Sequence, residues 1–263
     1  MRHLTTSLLA LALLTATTAG AAEPATPDSL LKQMKAWLEP AKPSVRHLTM
    51  TVRSSATDSV EWKAGQARGT VDGGNAVLTV LLSPADVRGT ALLIKEEQGK
   101  PNSEWLYVPY LRRVRQILPV NEFESFLNTE FSDSDMGFVN LHNRKVTRLS
   151  DGTVNGKDAY QLQEVPDDQR TFKRIVTWTA KDTNQPLKRE YYDVANRLWK
   201  VETFEDVAEI HGAPTAQRVR MDDVQTRYSS EYRITDIDYS AQIPKELFDW
   251  QHLPESADQT VWK

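Results

Sequence analysis

The sequence predicts a mainly β protein: a long antiparallel meander of about ten or more strands, opened by one helix. Three observations carry that prediction. Apolar and polar residues alternate in segment after segment. Turn-forming pairs such as Asn155-Gly156 separate the segments. One stretch repeats its apolar residues at helical spacing. A hydrophobic share of 40%, a charged share of 26% and a mean hydropathy of −0.52 belong to a packed, soluble chain rather than a disordered or membrane-embedded one. No repeat, low-complexity tract or linker divides the 263 residues, so 23–263 read as one domain.

The first 22 residues stand apart. Met1-Arg2-His3 is a short basic start, Leu4 to Thr18 is an apolar and small-residue run, and Ala19-Gly20-Ala21-Ala22 supplies a cleavage site. This is the pattern of a secretory signal peptide, too short for a comfortable membrane span. Its destination is the periplasm of a bacterium with two membranes. Thr26 then caps a helix with Pro27 at its first position, and Leu30, Leu31, Met34, Trp37 and Leu38 form its apolar face until Pro40 and Pro43 stop it. Strands follow at Leu48–Val52, Val60–Ala64, Ala76–Leu82 after the Asp72-Gly73-Gly74-Asn75 turn, Thr90–Glu96 and Glu104–Val108. The second half offers Lys145–Leu149, Ala159–Val165, Phe172–Ala180, Leu187–Asp193, Leu198–Phe204, Gln217–Val224 and Tyr232–Tyr239. Between the halves, Pro119 to Asn143 breaks the pattern. It is rich in Phe, Leu and Met without strand alternation, and suits either a lid over a cavity or a plain core-covering helix pair.

Several chemistries find no support. With 32 basic against 36 acidic residues, net charge −4, nothing favours nucleic acid. The absence of cysteine removes disulfides, thiolate catalysis and thiolate metal sites. Gly152 to Asp158 lacks the spacing and the Ser or Thr of a phosphate loop. The histidines are isolated, so neither a metal nor a cofactor is expected. No Gly-x-Ser-x-Gly elbow is present, and no carboxylate pair is singled out among 36 acids. A carboxylate pair for glycoside hydrolysis is spatial rather than sequential and stays open at this point; the expectation of a binding protein, not an enzyme, comes with the resemblance given below.

The densest basic cluster is Arg112-Arg113-Val114-Arg115, which follows Trp105-Leu106-Tyr107-Val108-Pro109-Tyr110-Leu111. In a strand Arg113 and Arg115 share one face, and Arg112 and Val114 the other. Such arginines either meet an acid or a bound anion, or guard an edge strand.

That run, followed by Glu124-Ser125-Phe126-Leu127-Asn128-Thr129-Glu130-Phe131-Ser132-Asp133, resembles the paired signature of LolA-like outer-membrane lipoprotein-sorting proteins. Pro186 to Asp193 resembles a later strand motif of the same proteins. The match is to an uncharacterised subgroup rather than to the carrier LolA itself, and Asn128 stands where that subgroup often has glycine. The resemblance implies a strongly curved antiparallel sheet, an unclosed half-barrel of about eleven strands as in LolA and LolB, with helices covering a concave apolar face. It implies a periplasmic, monomeric carrier of a lipid or acylated molecule, working towards the outer membrane beside an RND/MMPL-type inner-membrane transporter. The alternatives are an RseB-like lipid sensor and a small-molecule enzyme in the same cavity. Phe123, Phe126, Leu127, Phe131, Met136 and Phe138 are then the expected cover. Trp105, Tyr107 and Leu111 line or border the cavity, and Arg113 and Arg115 anchor the lid or a headgroup.

Overall fold

The computed structural model describes residues 25–38, 42–55, 57–97, 99–119, 123–137 and 144–263. The expected signal peptide lies outside the described residues. Helix α1 (Pro27–Leu38) starts where its cap predicts: the Ser29 amide donates to Thr26 Oγ1 at 3.2 Å and the Thr26 amide to Ser29 Oγ at 3.0 Å. Leu30 and Met34, one turn apart, are its buried residues.

Strands β1 (Ser44–Arg53), β2 (Ser59–Val71), β3 (Gly74–Ser83), β4 (Ala91–Lys95), β5 (Ser103–Val108) and β6 (Arg113–Ile117) form consecutive hairpins. So do β9 (Lys157–Pro166), β10 (Arg174–Ala180), β11 (Pro186–Tyr192), β12 (Leu198–Ile210), β13 (Ala213–Asp223) and β14 (Ser229–Asp238), with β7 (Arg144–Arg148) and β8 (Gly152–Val154) flanking β9. All but β6 and β8 coincide with segments legible from alternation. The turn pairs Asp72-Gly73 and Asn155-Gly156 take positive φ at both residues, the conformation that matches strand twist in a two-residue hairpin. The two halves meet where β1 pairs with β14, giving one 14-stranded antiparallel sheet in the order β6-β5-β4-β3-β2-β1-β14-β13-β12-β11-β10-β9-β7, with β8 on β9. The expected strand number of about eleven is exceeded; the edge strand β6 and the three-residue β8, which pairs with β9 off the main order, are among the additions.

The sheet is unclosed, ending at β6 and β7. It is also strongly curved. Residues 123–137 touch strands from β4 to β7: a Cβ on Gly137 would collide with Ile94 of β4, and Phe123 stacks under Arg144 of β7. Ten strand spacings of about 4.8 Å would set those strands nearly 50 Å apart in a flat sheet. Fifteen residues reach that far only if fully extended, and this segment is folded into turns. The sheet therefore curls around it.

Strand alternation splits the apolar residues into two layers. The inner layer holds Leu48, Met50, Trp62, Val77, Leu92, Ile94, Phe204 and Val219 with Phe126, Phe131 and Met136 of the 123–137 segment. The outer layer holds Val45, Leu78, Val80 and Leu93, covered by Leu247, Phe248, Leu253 and Trp262 from three short 3₁₀ turns at the C-terminal end (Lys245–Phe248, Trp250–Asp258, Thr260–Trp262). Gly65 and Gly69 lie beneath this cover, and a Cβ at Gly65 would collide with the Trp262 indole.

Candidate functional site

The inner face and the segment across it form the candidate site. The segment has no long helix. It contains two single turns of 3₁₀ helix, Phe126–Asn128 and Ser134–Met136. The Phe126 amide donates to Phe131 O at 2.9 Å, and Ser125 bridges Ser132. This closes a small loop that presents both phenylalanines to the sheet. Asn128 has φ +63°, a left-handed conformation that asparagine tolerates better than most residues. That accounts for asparagine where the resembling subgroup often has glycine. Asp135 Oδ2 accepts from the Ser132 amide at 2.9 Å and from its hydroxyl at 2.7 Å, fixing the second turn.

Phe126, Phe131 and Met136 are almost completely buried. Phe131 packs on Tyr232 with ring centroids 5.4 Å apart, and Phe123 meets Phe172 edge-on at 4.8 Å. Polar contacts clamp the same segment. Lys200 Nζ donates to Glu130 O at 2.6 Å, the Glu130 amide to Ser230 Oγ at 2.9 Å, and Arg68 to Gly137 O at 2.8 Å.

Beneath it the sheet floor is charged. Arg189 and Tyr191 alternate inward on β11, and register sets Glu202 of β12 opposite Arg189. Arg189 lies 3.2 Å from Glu202 and 3.9 Å from Asp135 of the segment. The Tyr191 hydroxyl reaches Asp135 at 2.9 Å and Glu202 at 3.2 Å. Arg144 pairs with Glu164 at 3.3 Å, both fully enclosed. Burial pushes the Glu202 carboxyl up to about 7 against the pull of Arg189. Burial likewise raises Asp133 to about 7; the charge of Arg115 opposes it, and Glu124 and Asp135 add to it. The segment thus rests on apolar packing at its centre and on a carboxylate–tyrosine–arginine network at one end.

The residues singled out by sequence fall into three places. Phe126, Phe131 and Met136 come together as the inward face of the segment, with Phe123 and Leu127 packed at its margin. Phe138 lies outside the described residues. Trp105 and Tyr107 are on the other side of the sheet, packed in the outer layer, because successive strand residues point to opposite faces; Leu106 is the residue of that run that joins the inner layer. The expected shared cavity of Trp105 and Tyr107 with the cover is corrected accordingly. Leu111 is 64% exposed, in the turn between β5 and β6. Arg112 is in that turn too, with φ +47°, rather than in a strand sharing a face with Val114. Arg113 and Arg115 lie exposed on the edge strand β6, on the inner-face side, where the charge of Arg115 acts on Asp133.

A small cleft of about 40 Å³, open to solvent, lies beside the segment between the end of α1 and strands β11–β14 and β1. Trp37, Leu38, Phe204, Val207, Ala216 and Ile234 supply its apolar walls, and Arg46 and Tyr232 its polar floor. Among the described residues no cluster of three or more metal-ligating side chains occurs, and no helix is long and apolar enough to cross a membrane.

An open, curled antiparallel sheet with an irregular segment laid across its inner face defines a half-barrel with a covered inner face. The crystal structure of a domain from Vibrio parahaemolyticus named for outer membrane lipoprotein sorting has this fold, with a TM-score of 0.79 and 26% identity over 87% of this chain and 98% of that one. A DUF1329 family protein from Desulfovibrio piger follows with a TM-score of 0.76 and 23% identity, over 86% and 97% of the two chains. A LolA superfamily protein from Nitrosomonas europaea has 0.69 and 19%, over 86% and 98%. No curated protein matches the chain. Residues 73–255 match the model of a family described as "Uncharacterized protein". The chain belongs to this family, DUF1329.

Proposed function

We propose that the protein is a periplasmic carrier that takes up a lipid or an acylated molecule on its inner face and passes it towards the outer membrane. The observation that supports this most is the segment 123–137. It covers the apolar inner face with buried aromatic side chains, yet contributes no strand to the sheet. It is therefore displaceable without breaking the ladder. An acyl chain of about 16 carbons carries about 0.8 kcal/mol per CH₂, or about 13 kcal/mol, against exposure to water. A carrier has to replace that exposure with protein surface, and the surface now occupied by Phe126, Phe131 and Met136 suits the purpose. In this reading residues 1–22 are removed on export, and an RND/MMPL-type inner-membrane transporter loads or unloads the carrier. The kinship with a domain named for lipoprotein sorting agrees with it.

The test is mass spectrometry of organic extracts from the mature protein purified from periplasm without detergent. A stoichiometric lipid or acylated peptide is expected. A lipid-free protein that also takes up no fluorescent lipid would refute the carrier reading.

A further inference from the structure

Successive hairpins of an antiparallel sheet return their turns to two opposite ends, and in this sheet the two ends differ. Register places the turns after β1, β3, β5, β9, β11 and β13 at one end. Arg53 of β1 faces both Ser59 of β2 and Ser229 of β14, Lys63 of β2 faces Ser83 of β3, and Ala91 of β4 faces both Val80 and Tyr107. On the other half Arg174 of β10 faces Tyr192 of β11, and Gln225 of the β13–β14 turn donates to Asp193 beside the β11–β12 turn at 3.1 Å. Helix α1 reaches the opposite end, where Trp37 Nε1 donates to Thr183 O of the β10–β11 turn at 3.2 Å. Eight large hydrophobic side chains are exposed among the described residues, and six of them belong to the first end: Val60, Tyr110, Leu111, Val194, Val224 and Tyr228. They stand at or beside four separate turns, and Tyr110 is 91% exposed.

Most turns at this end are balanced in charge. Arg88, Arg170 and Arg197 pair with Asp258, Asp168 and Asp193, and exposed Arg53, Lys173 and Arg227 offset exposed Asp58, Asp86 and Asp167. The β5–β6 turn is not. Arg112, Arg113 and Arg115 lie exposed beside Tyr110 and Leu111, and no acid occurs between Trp105 and Leu118. Among the described residues none of these three arginines forms an ion pair. We infer that this end is a docking surface for an anionic phospholipid bilayer, with Tyr110 and Leu111 entering the interface and Arg112, Arg113 and Arg115 on lipid phosphates. Single apolar side chains on separate, convex tips suit a soft and continuous surface, whereas a protein would need a matched pocket for each. A tyrosine has an apolar ring for the acyl boundary and a hydroxyl for the headgroups, and a guanidinium binds phosphate through two parallel hydrogen bonds. Val194, Val224 and Tyr228 on the neighbouring turns widen the contact. Phe172 of the β9–β10 loop, against which Phe123 of the cover packs, belongs to the same end, so docking sets the margin of the cover towards the bilayer. The surface goes beyond the carrier reading and does not need it: it seats on a bilayer whatever the inner face holds.

The chain has no cysteine, so a single introduced thiol carries a polarity-sensitive fluorophore without background. Tyr110→Cys, Val194→Cys and Tyr228→Cys place it at the docking end, and Asp182→Cys places it at the opposite end as a control. Each labelled mature protein is titrated with vesicles of phosphatidylcholine alone and of phosphatidylcholine mixed with phosphatidylglycerol. On the mixed vesicles the label at 110 should brighten and shift to the blue, those at 194 and 228 should do so less, and that at 182 should not respond. Binding should weaken as salt is raised. With the Tyr110→Cys label as reporter, Arg112→Asn with Arg113→Gln should weaken binding about 25-fold, at about 5-fold for each arginine. Asparagine is chosen at 112 because it tolerates the left-handed backbone there. Leu111→Ser should cost about 10-fold on the same vesicles. These positions are exposed, so the variants are expected to stay folded. No binding to either vesicle, equal affinity for both, or a response at 182 as strong as at 110 would overturn the inference. So would binding only to native inner-membrane vesicles that is lost after protease treatment, which would make the partner a protein. None of these outcomes touches the carrier reading, which the lipid extract decides.

Discussion

If the 123–137 segment is a lid, truncating its aromatic residues has a capped cost. Phe126 and Phe131 are buried to within 1% of completely. Replacing either by alanine in an ordinary core costs about 3–5 kcal/mol, and both together about 6–10 kcal/mol. That sum approaches the whole stability of a typical domain, about 5–15 kcal/mol. Here the segment supplies no strand, and the polar links given above between it and the sheet run through side chains, at Ser230, Lys200, Arg68 and Tyr191. Once its closing free energy is exhausted, the segment leaves the sheet and further truncation costs nothing more. Hydrogen exchange measured by mass spectrometry separates the two cases. Peptides covering 123–137 should lose protection in Phe126→Ala and in Phe131→Ala, with little further loss in the double variant. Peptides from β2 and β13 should keep most of theirs, and the denaturant midpoint of the double variant should match that of the worse single variant. Additive losses at the lid and the sheet alike would refute the displaceable lid.

Other expectations follow from particular contacts. Asp133 has a native pKa near 7 against an ordinary value of 3.8, so between about pH 4 and 7 the folded state holds a proton that the unfolded state has lost. Its contribution therefore favours the folded state at low pH and fades as pH rises through 7. Asp133→Asn should flatten the fall in melting temperature between pH 5 and 8, with Glu202 supplying what slope remains; an unchanged profile would refute the assignment. Tyr191→Phe removes the hydroxyl shared by Asp135 and Glu202. It should cost about 1–3 kcal/mol in urea melts and speed exchange in 132–137; loss of stability without faster exchange there would detach Tyr191 from the lid. Gly65→Ala should displace Trp262 from the outer layer at a cost of about 1–3 kcal/mol, seen as a red shift of tryptophan emission. An unshifted spectrum at full stability would contradict the close packing.

Much of this architecture is legible along the chain. Thr26 and Pro27 mark the helix start because capping is a local interaction, and the strands read out because one residue in two faces a core. Alternation also says that Trp105 and Tyr107 share a face that Leu106 does not. It does not say which face meets the lid, since that depends on strands far away in sequence. The charged floor was missed for a related reason. Arg189, Glu202, Glu164 and Arg144 sit on separate strands, and each alone reads as a solvated position; only the register brings them together. One signal was available: Arg189 and Tyr191 have the same parity inside the quoted Pro186–Asp193 motif. The C-terminal cover escaped because its 3₁₀ turns, one containing Pro254, follow neither a period of two nor one of 3.6.

The seam between β1 and β14 has a consequence for how the molecule comes into being. Val45 faces Asp238 and Arg53 faces Ser229, so the middle of the sheet is stitched from opposite ends of the chain. Each half forms from neighbouring hairpins, but neither gains its central partner until nearly the whole polypeptide is present. Pairings this distant in sequence make assembly slow. The central seam therefore cannot close until β14 has emerged behind β1, and the inner faces of both halves stay uncovered until then.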